Sequence, residues 1–149
     1  MATYRDIFYQ SIEELTPNLF EGVSDTLARL HAMDIKMSIA SSRSSPSLLL
    51  FLRNMAIANY FGVVLGSDSV TRHKPEPEPV LRSLAEYGVK PSEALVVGDM
   101  PVDVLMAHNA GVRCVAVSYG NATAEELAAV EADYIIDRFA LLADIIEGM

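Results

Sequence analysis

Apolar positions along this chain follow two alternating rhythms. Short runs at Lys36-Met37-Ser38-Ile39-Ala40, Phe61 to Leu65, Leu95 to Gly98, Val112 to Ser118 and Tyr134-Ile135-Ile136 have the length of buried strands. Between them, apolar residues recur every three or four positions, as on one face of a helix. This spacing predicts helices near 24–33 (Val23, Leu27 and Leu30 on one face), 45–59 (through Leu48, Leu49, Leu52, Met55 and Ala56), 79–87, 101–110 and 139–146. Residues 5–15 mix polar and apolar side chains and read as a short helix ending before Thr16-Pro17. The boundaries carry their own chemistry. Asp34 tolerates the left-handed backbone of a helix stop, and Gly88 and Gly111 supply it outright. Pro46 and Pro101 suit first turns. Thr123-Ala124-Glu125-Glu126 is a capping box that opens a further helix. The prolines in Arg72-His73-Lys74-Pro75-Glu76-Pro77-Glu78-Pro79 exclude a strand there. Strands alternating with helices predict an α/β fold whose parallel sheet is covered on both faces.

Composition narrows the class. The length of 149 residues fits one domain, and a hydrophobic share of 51% fits a packed core. A net charge of −9 argues against a nucleic-acid surface. An acidic protein that binds phosphate esters needs a cation, a lysine or backbone amides at the site. The single cysteine, Cys114, lies in an apolar run, reads as core and fits a reducing cytoplasm. No apolar run reaches the roughly 18 residues of a membrane span, so no membrane partner is expected.

Polar groups collect where strands end. Ser41, followed by Ser42 and Arg43, ends the first apolar run. Asp68 follows the second and reads as a loop acid, and Lys74 lies in the next loop. In Val96-Val97-Gly98-Asp99-Met100-Pro101-Val102-Asp103, two carboxylates flank a strand-to-helix corner. In a parallel sheet these ends converge on one edge, where ligands bind. Paired carboxylates suit a hard cation such as Mg²⁺. A hydroxyl, an ammonium and a Lewis-acidic metal together suit a phosphoryl group. His31, His73 and His108 lack ligand spacing and read as surface or packing residues.

Three of these segments, in order, resemble motifs of the haloacid dehalogenase superfamily. They are Ser41-Ser42-Arg43, Lys74 within His73-Lys74-Pro75-Glu76-Pro77, and Gly98-Asp99-Met100-Pro101-Val102-Asp103. The phosphoglycolate phosphatase-like branch is the nearest in pattern. Thr16 to Val23 looks like the segment leading from its helical cap into the core, and Ala110-Gly111-Val112 and Ala132 to Asp137 match its C-terminal pattern. The resemblance covers nearly the whole chain. It implies a Rossmannoid three-layer sandwich with a mostly parallel sheet, and one core domain over 1–149 with residues 1–16 as a remnant of a cap or linker helix. It also implies Mg²⁺-dependent hydrolysis of a small phosphorylated metabolite. Asp99 and Asp103 would be metal ligands. Ser41 and Lys74 would be catalytic, with Ser42 and Arg43 joining them on the substrate. Ser42 and Arg43 depart from the Asn-Lys usual in the family.

The resemblance also implies a first motif, Asp-x-Asp-Gly-Thr, on a central strand, whose first aspartate attacks phosphorus and whose second is the general acid/base. The sequence lacks it. Ser24-Asp25-Thr26-Leu27 imitates it only weakly, with no preceding apolar strand and no second aspartate at the right offset. The chain alone is therefore expected to be inactive or nearly so. Three readings follow: a phosphatase core, a non-catalytic phosphate-binding or interaction protein, or a chain whose upstream segment is missing. A missing central strand also leaves roughly five to ten backbone groups unpaired, at about 1–3 kcal/mol each. That rivals a net domain stability of about 5–15 kcal/mol. Either the flanking strands close together, or an extended segment from the N-terminus or a partner chain fills the gap. An exposed gap would favour self-association into a homo-oligomer.

Overall fold

The computed structural model describes residues 6–9, 23–40, 44–54, 56–72, 76–118, 122–138 and 140–147. Within them strands and helices alternate: β1 (Asp6–Tyr9), α1 (Val23–Ala32), β2 (Lys36–Ala40), α2 (Ser45–Asn54), β3 (Val63–Leu65), α3 (Glu78–Tyr87), β4 (Ala94–Gly98), α4 (Pro101–Asn109), β5 (Arg113–Val117), α5 (Ala124–Ala129), β6 (Tyr134–Ile136) and α6 (Leu141–Glu147). The strands form one sheet in the order β3-β2-β1-β4-β5-β6, and every pairing is parallel.

The centre of the sheet corrects one expectation and realises another. Asp6–Tyr9 is a strand, not part of a helix over 5–15. It fills the slot between β2 and β4, with Asp6 opposite Lys36 and Ala94, and Tyr9 opposite Ile39 and Val97. The N-terminal segment thus supplies the strand that the sheet requires. Two open rows of backbone donors and acceptors outweigh a weak helical pattern, and Ile7-Phe8-Tyr9 has the β-branched and aromatic composition that strands favour.

Alternation along the strands builds the two outer layers. Met37, Ile39, Leu95, Val97, Val115 and Val117 join a core with Leu27 and Leu30 of α1, Leu48 and Leu52 of α2, and Leu142 and Ile146 of α6. The alternate residues Ala40, Ala94, Val96, Cys114 and Ala116 join Val80 and Leu84 of α3, Val104 and Ala107 of α4, and Leu127 of α5. The result is a three-layer sandwich with, among the described residues, three helices on each face. Cys114 is buried, as expected. Two hydroxyls on the α3 side, Ser38 Oγ and Ser83 Oγ, are buried without a hydrogen-bond partner among the described residues. Such groups cost about 1–3 kcal/mol each.

Five helices stop in the same way. After α1, the N–H groups of Asp34 and Ile35 return to the carbonyls of His31 and Leu30. The same pair of bonds recurs at Ala56 and Ile57, Gly88 and Val89, Gly111 and Val112, and Glu131 and Ala132. The first residue of each pair has positive φ: 62° at Asp34, 59° at Ala56, 63° at Gly88, 75° at Gly111 and 61° at Glu131. This is the Schellman closure, which satisfies the last carbonyls and turns an apolar residue back into the core. It explains why α2 ends at Asn54 rather than near 59: Ala56 takes the left-handed conformation, and a 3₁₀ turn at Ala58–Tyr60 leads on toward β3.

Candidate functional site

Because all strands run parallel, β2, β3 and β4 deliver their following loops to one edge, beside the carboxyl end of β1. The best-defined corner lies after β4. Asp99 leaves the strand 2% exposed, and Asp103, in the first turn of α4, is 0% exposed. Asp103 Oδ2 accepts hydrogen bonds from the backbone N–H groups of Asp99 and Met100, both at 3.1 Å. The Met100 carbonyl accepts the Asp103 N–H at 3.0 Å. A carboxylate here satisfies orphan donors and faces the positive end of the helix dipole. The helix-start role of Asp103 is thus built into the fold, alongside any ligand role for the rest of the carboxylate.

Gly98 makes the corner possible. A β-carbon at this position would lie 2.8 Å from both Cγ and Oδ2 of Asp103. The glycine before the acid pair therefore serves close approach, not a special backbone angle.

Asp68 is more than a loop acid. Its Oδ1 accepts the Ser45 backbone N–H at 2.7 Å and the Ser45 hydroxyl at 2.9 Å. Ser45 Oγ and Ser69 Oγ lie 2.9 Å apart, and Ser69 Oγ accepts the Gly66 N–H at 3.0 Å. This chain of bonds ties the loop after β3 to the N-terminus of α2. The Ser45 N–H and then the Ser45 hydroxyl hold the exposed Asp68 carboxyl below the ordinary carboxylate value.

A second carboxylate performs the same kind of task. Glu78, the first residue of α3, accepts from the N–H and hydroxyl of Thr71 and from the N–H of Arg72, at 3.0 Å, 3.0 Å and 2.7 Å for the nearest contacts. The Thr71 N–H, followed by the Arg72 N–H, holds its carboxyl below the usual value. Asp68 and Glu78 thus clamp the chain on either side of the segment that carries Lys74. Sequence reasoning missed Glu78; the available signal was an acid opening a helix, seven residues after a threonine.

Ser41, Ser42, Arg43 and Lys74 lie outside the described residues. Among the described residues no cluster of three or more His, Cys, Asp or Glu could hold a metal ion. His108 bears out its surface reading, with Nε2 lying 2.9 Å from Asp133 Oδ2. Among the described residues, no helix is long and apolar enough to cross a membrane.

The geometry has counterparts in known proteins. The family model of the haloacid dehalogenase-like hydrolases matches residues 1–117. The chain belongs to this family. A phosphoglycolate phosphatase of Salmonella typhimurium is 37% identical over 134 residues, which cover 90% of this chain and 53% of that protein. The chain thus spans about half the length of this and similar curated relatives. A crystal structure of a predicted phosphoglycolate phosphatase from Haemophilus somnus superposes with a TM-score of 0.80 at 28% identity, covering 85% of this chain and 56% of that one. A Clostridium difficile chain shares the fold over its whole length, with a TM-score of 0.84 at 16% identity and 98% of this chain covered. The haloacid dehalogenase fold expected from the three motifs is therefore present, with its parallel sheet and both helical layers.

Proposed function

We propose that this haloacid dehalogenase-like chain forms the core of a Mg²⁺-dependent phosphatase acting on a small phosphate monoester, of the phosphoglycolate phosphatase type. The observation that carries the reading is the corner after β4. Its two buried carboxylates, Asp99 and Asp103, stand beside the carboxyl end of the central strand, in the family where similar proteins are named phosphoglycolate phosphatases. The donor set suits Mg²⁺, which is commonly held by one or two carboxylates together with waters and substrate phosphate. When bound, the cation supplies Lewis-acid polarisation of a phosphoryl oxygen. In this reading Ser41 donates to a phosphate oxygen, with Ser42 and Arg43 beside it. Lys74 neutralises charge as the ester bond breaks. The Asp68 and Glu78 clamps fix Ser45, Thr71 and Arg72, described residues that flank these positions in the sequence. The proposed setting is the cytoplasm.

The chain by itself has no Asp-x-Asp-Gly-Thr, and the central strand position is taken by Asp6-Ile7-Phe8-Tyr9. Turnover by this chain alone is therefore expected to be absent or near background. The same observation favours a second reading, a phosphate-binding protein without catalysis. An aryl phosphate assay with and without Mg²⁺, paired with calorimetric titration of Mg²⁺ and inorganic phosphate, separates the two. Saturable binding that Asp99→Asn abolishes, without turnover, supports the metal edge. Mg²⁺-dependent turnover that Asp99→Asn abolishes would overturn the expectation of inactivity. Absence of any Mg²⁺ binding would overturn the metal edge itself.

A further inference from the structure

Helix α3 carries an apolar stripe on its solvent side. Val80, Ser83 and Leu84 turn to the sheet and are buried, whereas Leu81 is 45% exposed. Pro77, Leu81 and Ala85 follow one another at intervals of four, so they share one face of the helix. With Arg72, Arg82, Glu76 and Glu78 they line a groove of about 400 Å³. That volume lies within the roughly 300–1,000 Å³ of small-molecule sites. The groove shares no lining residue with the corner after β4. One wall is fixed by the fold. The Arg72 N–H donates to Glu78 Oε2 at 2.7 Å and the Thr71 N–H to Glu78 Oε1 at 3.0 Å, which ties the Arg72 backbone to the first turn of α3. The same donors engage both oxygens of the Glu78 carboxylate. The charge of Arg82 also acts on that carboxylate, so both arginines stand around Glu78. Both are exposed, and neither guanidinium has an ion pair within the described residues. In a chain with 20 Asp and Glu against 11 Lys and Arg, two such arginines at one groove stand out.

We infer that this groove is a binding site for a small amphiphilic carboxylate, with its head on Arg72 and Arg82 and its apolar body on Pro77, Leu81 and Ala85. A guanidinium matches a carboxylate in a two-pronged fork. A dianionic phosphate would meet more repulsion from Glu76 and Glu78, which favours a monoanion. The Thr71 and Arg72 N–H groups are taken by Glu78, so the groove grips its ligand by side chains. Seven residues line it, far fewer than the roughly 20–30 residues a side of a stable protein interface, which favours a small molecule over a second copy. The site is independent of the phosphatase reading, because it uses neither Asp99 nor Asp103.

The test titrates the full 149-residue chain with 2-naphthoate and follows backbone amide shifts by NMR. A ligand of this size should bind saturably with a Kd on the order of millimolar. Shifts are expected at Arg72, Leu81, Arg82 and Ala85, with none at Asp99 or Asp103. Arg72→Gln and Arg82→Gln should each weaken binding about two- to fivefold, as for an exposed ion pair, and the double variant about tenfold. Glu76→Gln should tighten it by up to about threefold, by removing a like charge. These residues are exposed, so the variants should keep the native thermal midpoint. The neutral 2-naphthamide should bind at least about tenfold more weakly than the carboxylate. Equal binding of the amide, or a double arginine variant that binds as the native chain does, overturns the proposal. So do shifts confined to other surfaces, and shifts at α3 that grow with protein concentration alone, which would assign the groove to a second copy. Tighter binding of 2-naphthyl phosphate at the same residues overturns the choice of a monoanion.

Discussion

Gly98 and Asp103 are fitted to each other: the missing β-carbon of the glycine leaves the space in which the aspartate carboxylate lies. From that seat Asp103 accepts two backbone N–H groups and closes the first turn of α4. Gly98→Ala must move either the carboxylate or the strand, both of which are buried. A destabilisation of about 1–3 kcal/mol is expected, the usual range for overpacking a core, in urea unfolding. Asp103→Asn keeps an acceptor oxygen and should cost less than Asp103→Ala, which strands both donors at about 1–3 kcal/mol. If the corner also serves a cation, Asp103→Asn lowers Mg²⁺ affinity in a fold that remains intact. Equal stability losses for Asn and Ala would count against the capping role.

Helix stops offer a gain. Ala56 and Glu131 hold positive φ without glycine's freedom, at 59° and 61°. The left-handed conformation costs an L-residue about 1–2 kcal/mol, partly offset for glycine by its larger entropy loss on folding. Ala56→Gly and Glu131→Gly should each raise stability by about 0.5–1 kcal/mol, read as an upward shift in the thermal midpoint. The two sites belong to helices in different layers, α2 and α5, so their effects should add. A loss of stability at either site would mean that the closure there does not govern the stop.

These stops also show what the sequence could and could not reveal. Gly88, Gly111 and Asp34 mark their helix ends by residue type, and the Thr123–Glu126 capping box forms as its spacing predicts, with Thr123 Oγ1 accepting the Glu126 N–H at 3.2 Å. Ala56 gives no such mark, and the apolar spacing through Met55 carries the predicted helix past its true end. Asp99 and Asp103 were legible because Gly-Asp at the end of an apolar run is a local pattern. Asp68 and Glu78 were not, because their partners Ser45 and Thr71 are identified only by tertiary geometry, with Ser45 23 residues from Asp68. β1 was the hardest element to read. Four residues carry little periodicity, and their strand state follows from the needs of β2 and β4.

The two clamps carry a pH signature. Asp68 and Glu78 are held below their ordinary values by N–H and hydroxyl donors, so the folded state binds their protons less readily than the unfolded state does. Their stabilising contribution is complete above the unfolded carboxylate range, about pH 4–4.5, and is lost as pH falls through the lower folded values. Thermal midpoints measured from pH 6 down to pH 2 should therefore fall. Asp68→Asn and Glu78→Gln should each flatten part of that decline. Both variants should also raise amide exchange at Ser45 and Arg72 respectively. An unchanged acid limb in the double variant would remove the clamps as its cause.

Gly62 and Tyr87 supply a coupled pair away from the functional edge. The Tyr87 hydroxyl donates to the Met37 carbonyl of β2, which also accepts the Gly62 N–H at 3.1 Å. A β-carbon on Gly62 would lie 2.6 Å from that hydroxyl oxygen and no closer than 3.4 Å to the ring carbons. Gly62→Ala should therefore cost about 1–3 kcal/mol in the native background, by forcing the phenol off the carbonyl. Tyr87→Phe alone should cost about 1 kcal/mol, the net value of one hydrogen bond. In the Tyr87→Phe background the obstacle is gone, and Gly62→Ala should then cost less than about 1 kcal/mol. The coupling, read from urea unfolding of the two single variants and the double, is expected to lie at about 0.5–2 kcal/mol. Strict additivity would place the strain of Gly62→Ala elsewhere, in the backbone between β2 and β3 rather than at the phenol.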